Sequence, residues 1–533
     1  MDLRQAPVYT AFPLKSALLR AWIVLLALVA GEVAVTLWLT GGTFIFTLDD
    51  PYIHLALAEN IWQGHYGVNL SEASAPSSSV IWPLLLAPLS MLPAAGYAVL
   101  LMNVVLASGC LVFLARLLGQ VEAERQVGAF SEKTRTGILI LAVLLANLVG
   151  LIFTGMEHLL QMLLALMIVS GLIEHVQTHK VPRWIWLAIV LLPLVRFESI
   201  VVAGAALLYL LFAGRALASI VTGLLIVACL AGYSAFLLSQ GLSYLPDSVL
   251  AKADVAASGV SKLAFNLWRN LHSFKGPALL ICALLFFHTA WFRSVSANKR
   301  RLMLAFGLAI SGHLLAARMG WYFRYELYLW ISTLALLFYL YCVPMLPDVS
   351  RGEKRFTKGL LITCAVFSGL EHTAAIATTP LAGANIYHQQ YQMQRFLNEM
   401  WQKPVAVNDL GLTSFTNDEY VLDLWGLASS EARVLRKSAT SPDWMAELGD
   451  KHQVEMAMIY HNAVWFETVP PQWQKVGELT VTGIPITAWF PVSIFATSAS
   501  THADILQRWQ TFAETLPEGT RFDAEKPAQT QPR

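Results

Sequence analysis

The sequence predicts an α-helical polytopic membrane protein of about eleven transmembrane helices with a C-terminal extracytoplasmic α/β domain. Three observations predict it. Of 533 residues, 56% are hydrophobic and 13% charged, with a mean hydropathy of +0.55, well beyond what one soluble core of this size requires. Apolar runs of about 17 to 25 residues recur along the first two thirds of the chain, the length a helix needs to cross roughly 30 Å of hydrocarbon. Past 384 the long runs stop, and Asp, Glu, Asn and Gln become frequent.

The first run, 21–40, follows Lys15 and Arg20. It is longer than a secretory h-region and has no clear small-residue cleavage site, so it reads as a retained signal anchor with those two cations in the cytoplasm. Asp49 and Asp50 then emerge on the opposite side. Further runs lie at 94–117, 137–153, 156–175, 184–194, 199–213, 216–240, 276–292, 302–317, 325–344 and 359–379. Basic clusters place the cytoplasmic loops. They are Arg116 with Arg125, Lys133 and Arg135; Lys180 with Arg183; Arg293 with Lys299, Arg300 and Arg301; and Arg351, Lys354, Arg355 and Lys358. Parity requires that 80–92 does not cross. This stretch carries Pro83 and Pro88 and ends at Pro93, which suits a half-helix or interfacial segment.

With the N-terminus inside, an odd number of spans puts the tail, 385–533, on the outer side of the membrane. Short β-like runs at 404–407, 420–424, 456–460 and 484–490 alternate there with helix-like stretches such as 386–401. A small α/β domain follows, and the last dozen residues, near Glu518, Pro527 and Pro532, read as a disordered end. The expected division is thus a transmembrane domain, 1–384, with a first outer loop at 41–80, and a soluble domain, 385–533.

Net charge is +1 at pH 7, which gives no global field toward nucleic acid. Cys110, Cys229, Cys282, Cys342 and Cys364 lie in or beside apolar runs without metal-site spacing, as small packing residues. The informative polar residues are those a bilayer tolerates least. They are Asp49, Asp50, His54 and Glu59 in the first outer loop; Glu157 and His158; Arg196 and Glu198; Lys252; and Arg318 and Arg324. On this topology all of them reach the outer face. Asp50 before Pro51 has a second use as the N-cap of a helix, whose residues Ile53, Leu55, Ala56, Leu57, Ile61 and Trp62 form a face suited to the membrane surface, with Gly64 as its stop. Asp49 has no such use and is the expected general base, with Asp50 as support or as a ligand, with Asp49, of a divalent cation such as Mg or Mn. Arg196 beside Glu198 also suits an ion pair, Arg324 an aromatic belt, and Lys252 a headgroup anchor.

The run Asp49-Asp50-Pro51-Tyr52-Ile53-His54, followed by Ala58-Glu59-Asn60, Gly64, Gly67, Asn69, Glu72 and Ser77-Ser78-Ser79-Val80-Ile81-Trp82, resembles the first periplasmic loop of GT-C superfamily glycosyltransferases. The likeness is greatest to the branch that includes the mycobacterial terminal arabinofuranosyltransferases. It continues through Thr154-Gly155-Met156-Glu157, Arg196-Phe197-Glu198, Leu245-Pro246-Asp247-Ser248 with Ala251-Lys252, Arg324-Tyr325, Asn408-Asp409-Leu410-Gly411 and Asp423-Leu424-Trp425-Gly426-Leu427. Pro51 stands where Ala is usual, Phe197 where Pro is usual, and Asp247-Ser248 where Asn-Thr is common.

The resemblance implies a GT-C fold and an inverting transferase of a bacterial inner membrane, its C-terminal domain periplasmic. The donor would be a sugar, such as a pentofuranose, on a polyprenyl phosphate. The acceptor would be a glycan, lipid or surface protein. Asp49 is then the base; Arg196, Lys252 and Arg324 hold the donor phosphate; and Tyr52, His54, Glu157 and Glu198 contact sugar or acceptor. Two other functions fit the composition. A multi-pass transporter would place polar residues at mid-depth and repeat its hydrophobic pattern in two halves. A non-catalytic envelope scaffold would keep working when Asp49 is changed to Asn.

Overall fold

The structure is a computed structural model and describes residues 14–124, 130–252, 260–341, 350–483, 485–489 and 491–525. Except for 137–153, each predicted apolar run falls on one helix among the described residues, although the helices differ in what they could span. Six described helices are long and apolar enough to cross a membrane: Lys15–Leu39, Ala95–Ala123, His158–Thr178, Ala216–Ser239, Lys275–Phe292 and Arg351–Trp401. Trp184–Val195, Phe197–Phe212 and Leu327–Tyr341 are apolar but shorter. The run 137–153 is not one helix: Glu132–Leu145 and Leu148–Ile152 are separated at Asn147, which adopts φ 47°. Within 80–92 the helix Trp82–Ser90 has nine residues, about 13 Å of rise, less than half a bilayer core.

The run 359–379 and the predicted helix 386–401 prove to be one continuous helix of 51 residues, Arg351–Trp401. Pro380 lies inside it, and two π-helical turns, Tyr387–Tyr391 and Leu397–Trp401, absorb local irregularity near its end.

The chain divides into two compact units, and neither follows a linear boundary at 384/385. The first comprises residues 1–32, 100–231 and 257–377; the second comprises 33–99, 232–256 and 378–533. In the first unit His158–Thr178 is the enclosed helix, with 72% of its apolar window buried, as expected when neighbours cover it on most sides. The second unit is built on a six-stranded mixed sheet, order β2-β1-β3-β5-β4-β6. Its strands are β1 Val405–Val407, β2 Val421–Asp423, β3 Met456–Ile459, β4 Gln474–Val481, β5 Val492–Ala496 and β6 Thr520–Ala524. β2, β1 and β3 are parallel, and β3, β5, β4 and β6 pair antiparallel.

The period-two alternation of the strands sorts their side chains to two cores. Val405, Val407, Met456, Met458 and Ile494 join Phe396, Trp401, Trp509 and Phe512 on one face. Ala406, Leu422, Ala457, Ile459 and Phe495 join Trp444, Met445 and Leu448 on the other. The three predicted strands at 404–407, 420–424 and 456–460 are present within a residue or so. The fourth is not: the described residues of 484–490 form bends, and β4 and β5 flank them instead. The end of the chain is also more ordered than its polarity suggests, because β6 pairs with β4 from Gly477↔Ala524 to Val481↔Thr520. Residues 526–533, the remainder of the expected disordered end, lie outside the described residues.

The second unit recruits the first outer loop into its core. Ile53, Ala56 and Val68 pack among the same residues as Phe396, Trp401 and Met456. Helix Asp50–Trp62 therefore does not lie along a surface: Pro51 through Ala58 are all buried. A helix apolar on every side is a buried helix, and the unbroken run from Tyr52 to Ala58 leaves no wet face apart from His54, which is buried as well. Gly64, at φ 83°, ends the helix as predicted.

Candidate active site

Asp49, not Asp50, occupies the N-cap position of helix Asp50–Trp62, yet its side chain makes no cap bond there. The carboxylate turns instead to the start of the short helix Gly411–Ser414, accepting the Gly411 N–H at 2.6 Å through Oδ2 and the Leu412 N–H at 2.8 Å through Oδ1. Glycine is required at 411. A Cβ built there would overlap the Asp49 carbonyl and lie 2.6 Å from its carboxyl carbon. Gly411→Ala is expected to destabilise the protein by about 1–3 kcal/mol and to displace Asp49. Thermal unfolding checks this against Gly359→Ala, whose Cβ would meet open space.

Asp409 stands beside Asp49. Its Oδ2 accepts Gln390 Nε2 at 2.7 Å and lies 3.0 Å from the Tyr460 hydroxyl. That hydroxyl also accepts Gln390 Nε2 at 2.8 Å and reaches Gln389 Oε1 at 2.9 Å. Asn408 Oδ1 accepts the Tyr460 backbone N–H at 2.7 Å, which holds the arrangement at the end of β1. Burial, and then the Asp409 charge, raise the Asp49 carboxyl well above the ordinary range, against the two amide bonds that lower it. Burial raises Asp409 as well, with Asp50 adding to the effect. Two like charges this close disfavour double ionisation, so the pair retains a proton where a lone carboxylate would have lost it.

Asp50 is half-buried and borders this pair. Tyr52 is buried, its hydroxyl accepting the Phe46 N–H at 3.1 Å, and His54 is buried two residues further on. Both are fixed inside the protein and do not line an open surface. Lys252 closes helix Asp247–Lys252, but its side chain lies outside the described residues. The helix is held to the α/β domain through Asp247 Oδ1, which accepts Arg433 Nε at 2.9 Å and Ser430 Oγ at 2.8 Å. Asp423 forms a tight turn by accepting the N–H groups of Trp425 at 2.9 Å and Ala428 at 2.8 Å.

The remaining predicted residues assemble in the first unit. Arg196 donates from Nη1 to Glu157 Oε1 at 2.6 Å and pairs through Nε with Glu198. Glu157 is fully buried and the Arg196 side chain 8% exposed. The Arg196 and Arg324 guanidinium carbons each lie 5.1 Å from the centroid of the Tyr325 ring. Tyr328 donates its hydroxyl to the Glu198 carbonyl at 3.1 Å and meets His313 Nδ1 at 3.0 Å. Arg196 is thus neutralised by two carboxylates, the ion-pair alternative that its spacing from Glu198 allowed, while Arg324 is buried on the shared ring.

Sequence reasoning did not single out Asp409, Tyr460 and Gln390, which surround Asp49 in the second unit, or Tyr325, which lies beside Arg196 in the first. Two of them sat inside noted motifs, Asn408-Asp409-Leu410-Gly411 and Arg324-Tyr325. The available signal was a carboxylate at the end of an apolar run followed closely by Gly, the pattern of a backbone approach. Among the described residues no group of three or more His, Cys, Asp or Glu side chains is placed to hold a metal ion. Both oxygens of Asp49 and Oδ2 of Asp409 already accept hydrogen bonds from N–H and O–H donors.

Comparisons with known proteins bear on this picture unevenly. A family model described as a domain of unknown function (DUF8728) matches residues 384–501, a stretch that holds Asp409 and Tyr460 but not Asp49. No curated protein matches the chain. Among solved structures, the chain is similar to the Archaeoglobus fulgidus oligosaccharyltransferase, a crystal structure with Zn and sulfate, at 10% identity and a TM-score of 0.37, over 93% of this chain and 75% of that one. It is similar also to a mutant of the arabinofuranosyltransferase AftD from Mycobacteria, at 12% identity and a TM-score of 0.37, over 89% of this chain and 41% of that one. Superpositions this loose carry no conclusion about fold or chemistry, which rest on the residues themselves.

Proposed function

We propose that this integral membrane protein is a GT-C-type, inverting glycosyltransferase that moves a sugar from a polyprenyl-phosphate donor to an extracytoplasmic glycan, lipid or protein acceptor. The observation that carries the reading is the buried Asp49 carboxyl beside Asp409, raised well above the ordinary range and held on two backbone amides. A buried acid fixed by backbone amides beside a second acid is the kind of perturbed group that concentrates at functional sites, and a carboxylate there can take up an acceptor's proton.

In the proposed step the acceptor oxygen attacks the anomeric carbon while its proton passes to the Asp49 carboxylate. The bond from that carbon to the phosphate oxygen breaks, and the electron pair leaves with the lipid phosphate. Attack opposite the leaving group inverts the anomeric centre. The cations we assign to the phosphate are Arg324 and Lys252, as the motif resemblance implies; Arg196 faces Glu157 and Glu198. Arg196, Glu157 and Glu198 then position Tyr325. A pentofuranose such as arabinofuranose is the donor sugar that the motif resemblance favours. The α/β unit is assigned to the periplasmic side of a bacterial inner membrane, following the positive-inside distribution of Lys and Arg.

The test is transfer by the purified chain in nanodiscs from synthetic polyprenyl-phosphate sugars, arabinofuranose first, with membrane extracts as acceptor and mass spectrometry as readout. Absence of transfer from every donor would sink the reading. Incubation with EDTA followed by buffer exchange is expected to leave turnover unchanged. A loss restored by Mg or Mn would instead give Asp49 and Asp50 a cation.

A further inference from the structure

We infer that a cleft of about 520 Å³ in the second unit, beside the far end of helix Asp50–Trp62, binds uncharged sugar residues of the acceptor. This rests on the glycosyl-transfer reading and names the substrate class of a subsite remote from Asp49. Glu59 lies ten residues beyond Asp49, about 15 Å along the helix axis, so the cleft would hold parts of a glycan away from the reacting hydroxyl.

The lining selects the ligand. Glu59, Asp418 and Glu419 bring three carboxylates, and none of the lining residues is Lys, Arg or His. Such a site repels phosphates and uronates, which separates it from any donor-phosphate site. The carboxylates accept hydrogen bonds, the capacity that a polyol's many O–H donors use. Ser414 also lines the cleft. It is 5% exposed, and its Oγ has no hydrogen-bond partner among the described residues, so a polar group awaits a ligand there. Burial and, against the Thr416 amide bond, Asp418 push Glu59 up to about 7, which lets it donate as well as accept. The cleft also offers apolar surface from Val68 and Leu70, suited to the C–H faces of sugar rings. Tyr420 stands rigidly at its wall, stacked on His452 at 4.3 Å and bonded to Glu72.

Saturation-transfer NMR on the full chain in nanodiscs tests this, with maltotriose, cellotriose and mannotriose as neutral probes, trigalacturonate as the acidic one and tri-lysine as the basic one. At least one neutral trisaccharide is expected to bind and trigalacturonate not to. Glu59→Gln and Glu419→Gln should each weaken binding roughly tenfold, and Ser71→Trp, at an exposed lining position, should abolish it. Equal binding of trigalacturonate, no binding by any neutral probe, indifference to all three substitutions, or binding of tri-lysine alone would each overturn the inference. Asp49→Asn is expected to leave the trisaccharide signal intact. Transfer without cleft binding would therefore defeat this inference alone, and cleft binding without transfer would defeat the glycosyl-transfer reading alone.

Discussion

Asp49→Asn is expected to lower transfer by roughly 10²- to 10⁴-fold, the contribution of one general base. The protein should also lose about 1–3 kcal/mol of stability, since an amide can accept from only one of the Gly411 and Leu412 N–H groups, leaving the other without its acceptor. A paired measurement of turnover and thermal unfolding separates the two effects. Undiminished transfer by a folded Asp49→Asn protein would remove the base assignment. Neutralising the neighbour gives the matching pH result. Asp409→Asn deletes the charge that helps to raise Asp49, so Asp49 ionises at lower pH and the acid limb of the pH–rate profile moves down. The stability sign follows from the same shift. A carboxyl raised in the folded state contributes stability at low pH that is lost as pH climbs through its folded value, so unfolding temperatures should decline with pH in the wild type and less steeply in Asp409→Asn.

Arg196→Met is expected to cost about 3–5 kcal/mol, because it leaves Glu157, fully buried, and Glu198 without their shared cation. Differential scanning fluorimetry in detergent would read this as a large drop in Tm. Adding Glu157→Gln and Glu198→Gln should recover most of it, since the uncompensated charges are then gone. The triple variant also decides the role of Arg196. An unchanged KM for donor with reduced kcat fits a positioning residue that orders Tyr325. A KM for donor raised tenfold or more would return Arg196 to the phosphate.

How far each site residue could be read in advance follows from how local its determinants are. Asp49 and Asp50 stood out because acids at a membrane edge are costly wherever the chain goes next. The pairing of Arg196 with Glu198 was legible from two residues of separation, whereas that with Glu157 crosses 39 residues. The role of Asp409 was not legible. Its motif was visible, but its partner lies 360 positions upstream, and no local pattern encodes that approach. Helix Asp50–Trp62 was misplaced for a related reason: its apolar residues announced burial without saying against what, and the α/β core competed with the membrane for them.

Composition and run length by themselves determined that this is a membrane protein with a distinct polar tail, and short β-like runs located three of its strands. Those properties are sums over neighbouring residues, which the chain carries in any conformation. Tertiary structure alone decided that Asp49 leaves its own helix to seat on Gly411 and Leu412, that a second buried acid raises its carboxyl, and that Arg196 is neutralised from both sides. Each depends on desolvation and on charges brought within a few ångströms, and neither exists until distant segments are packed together.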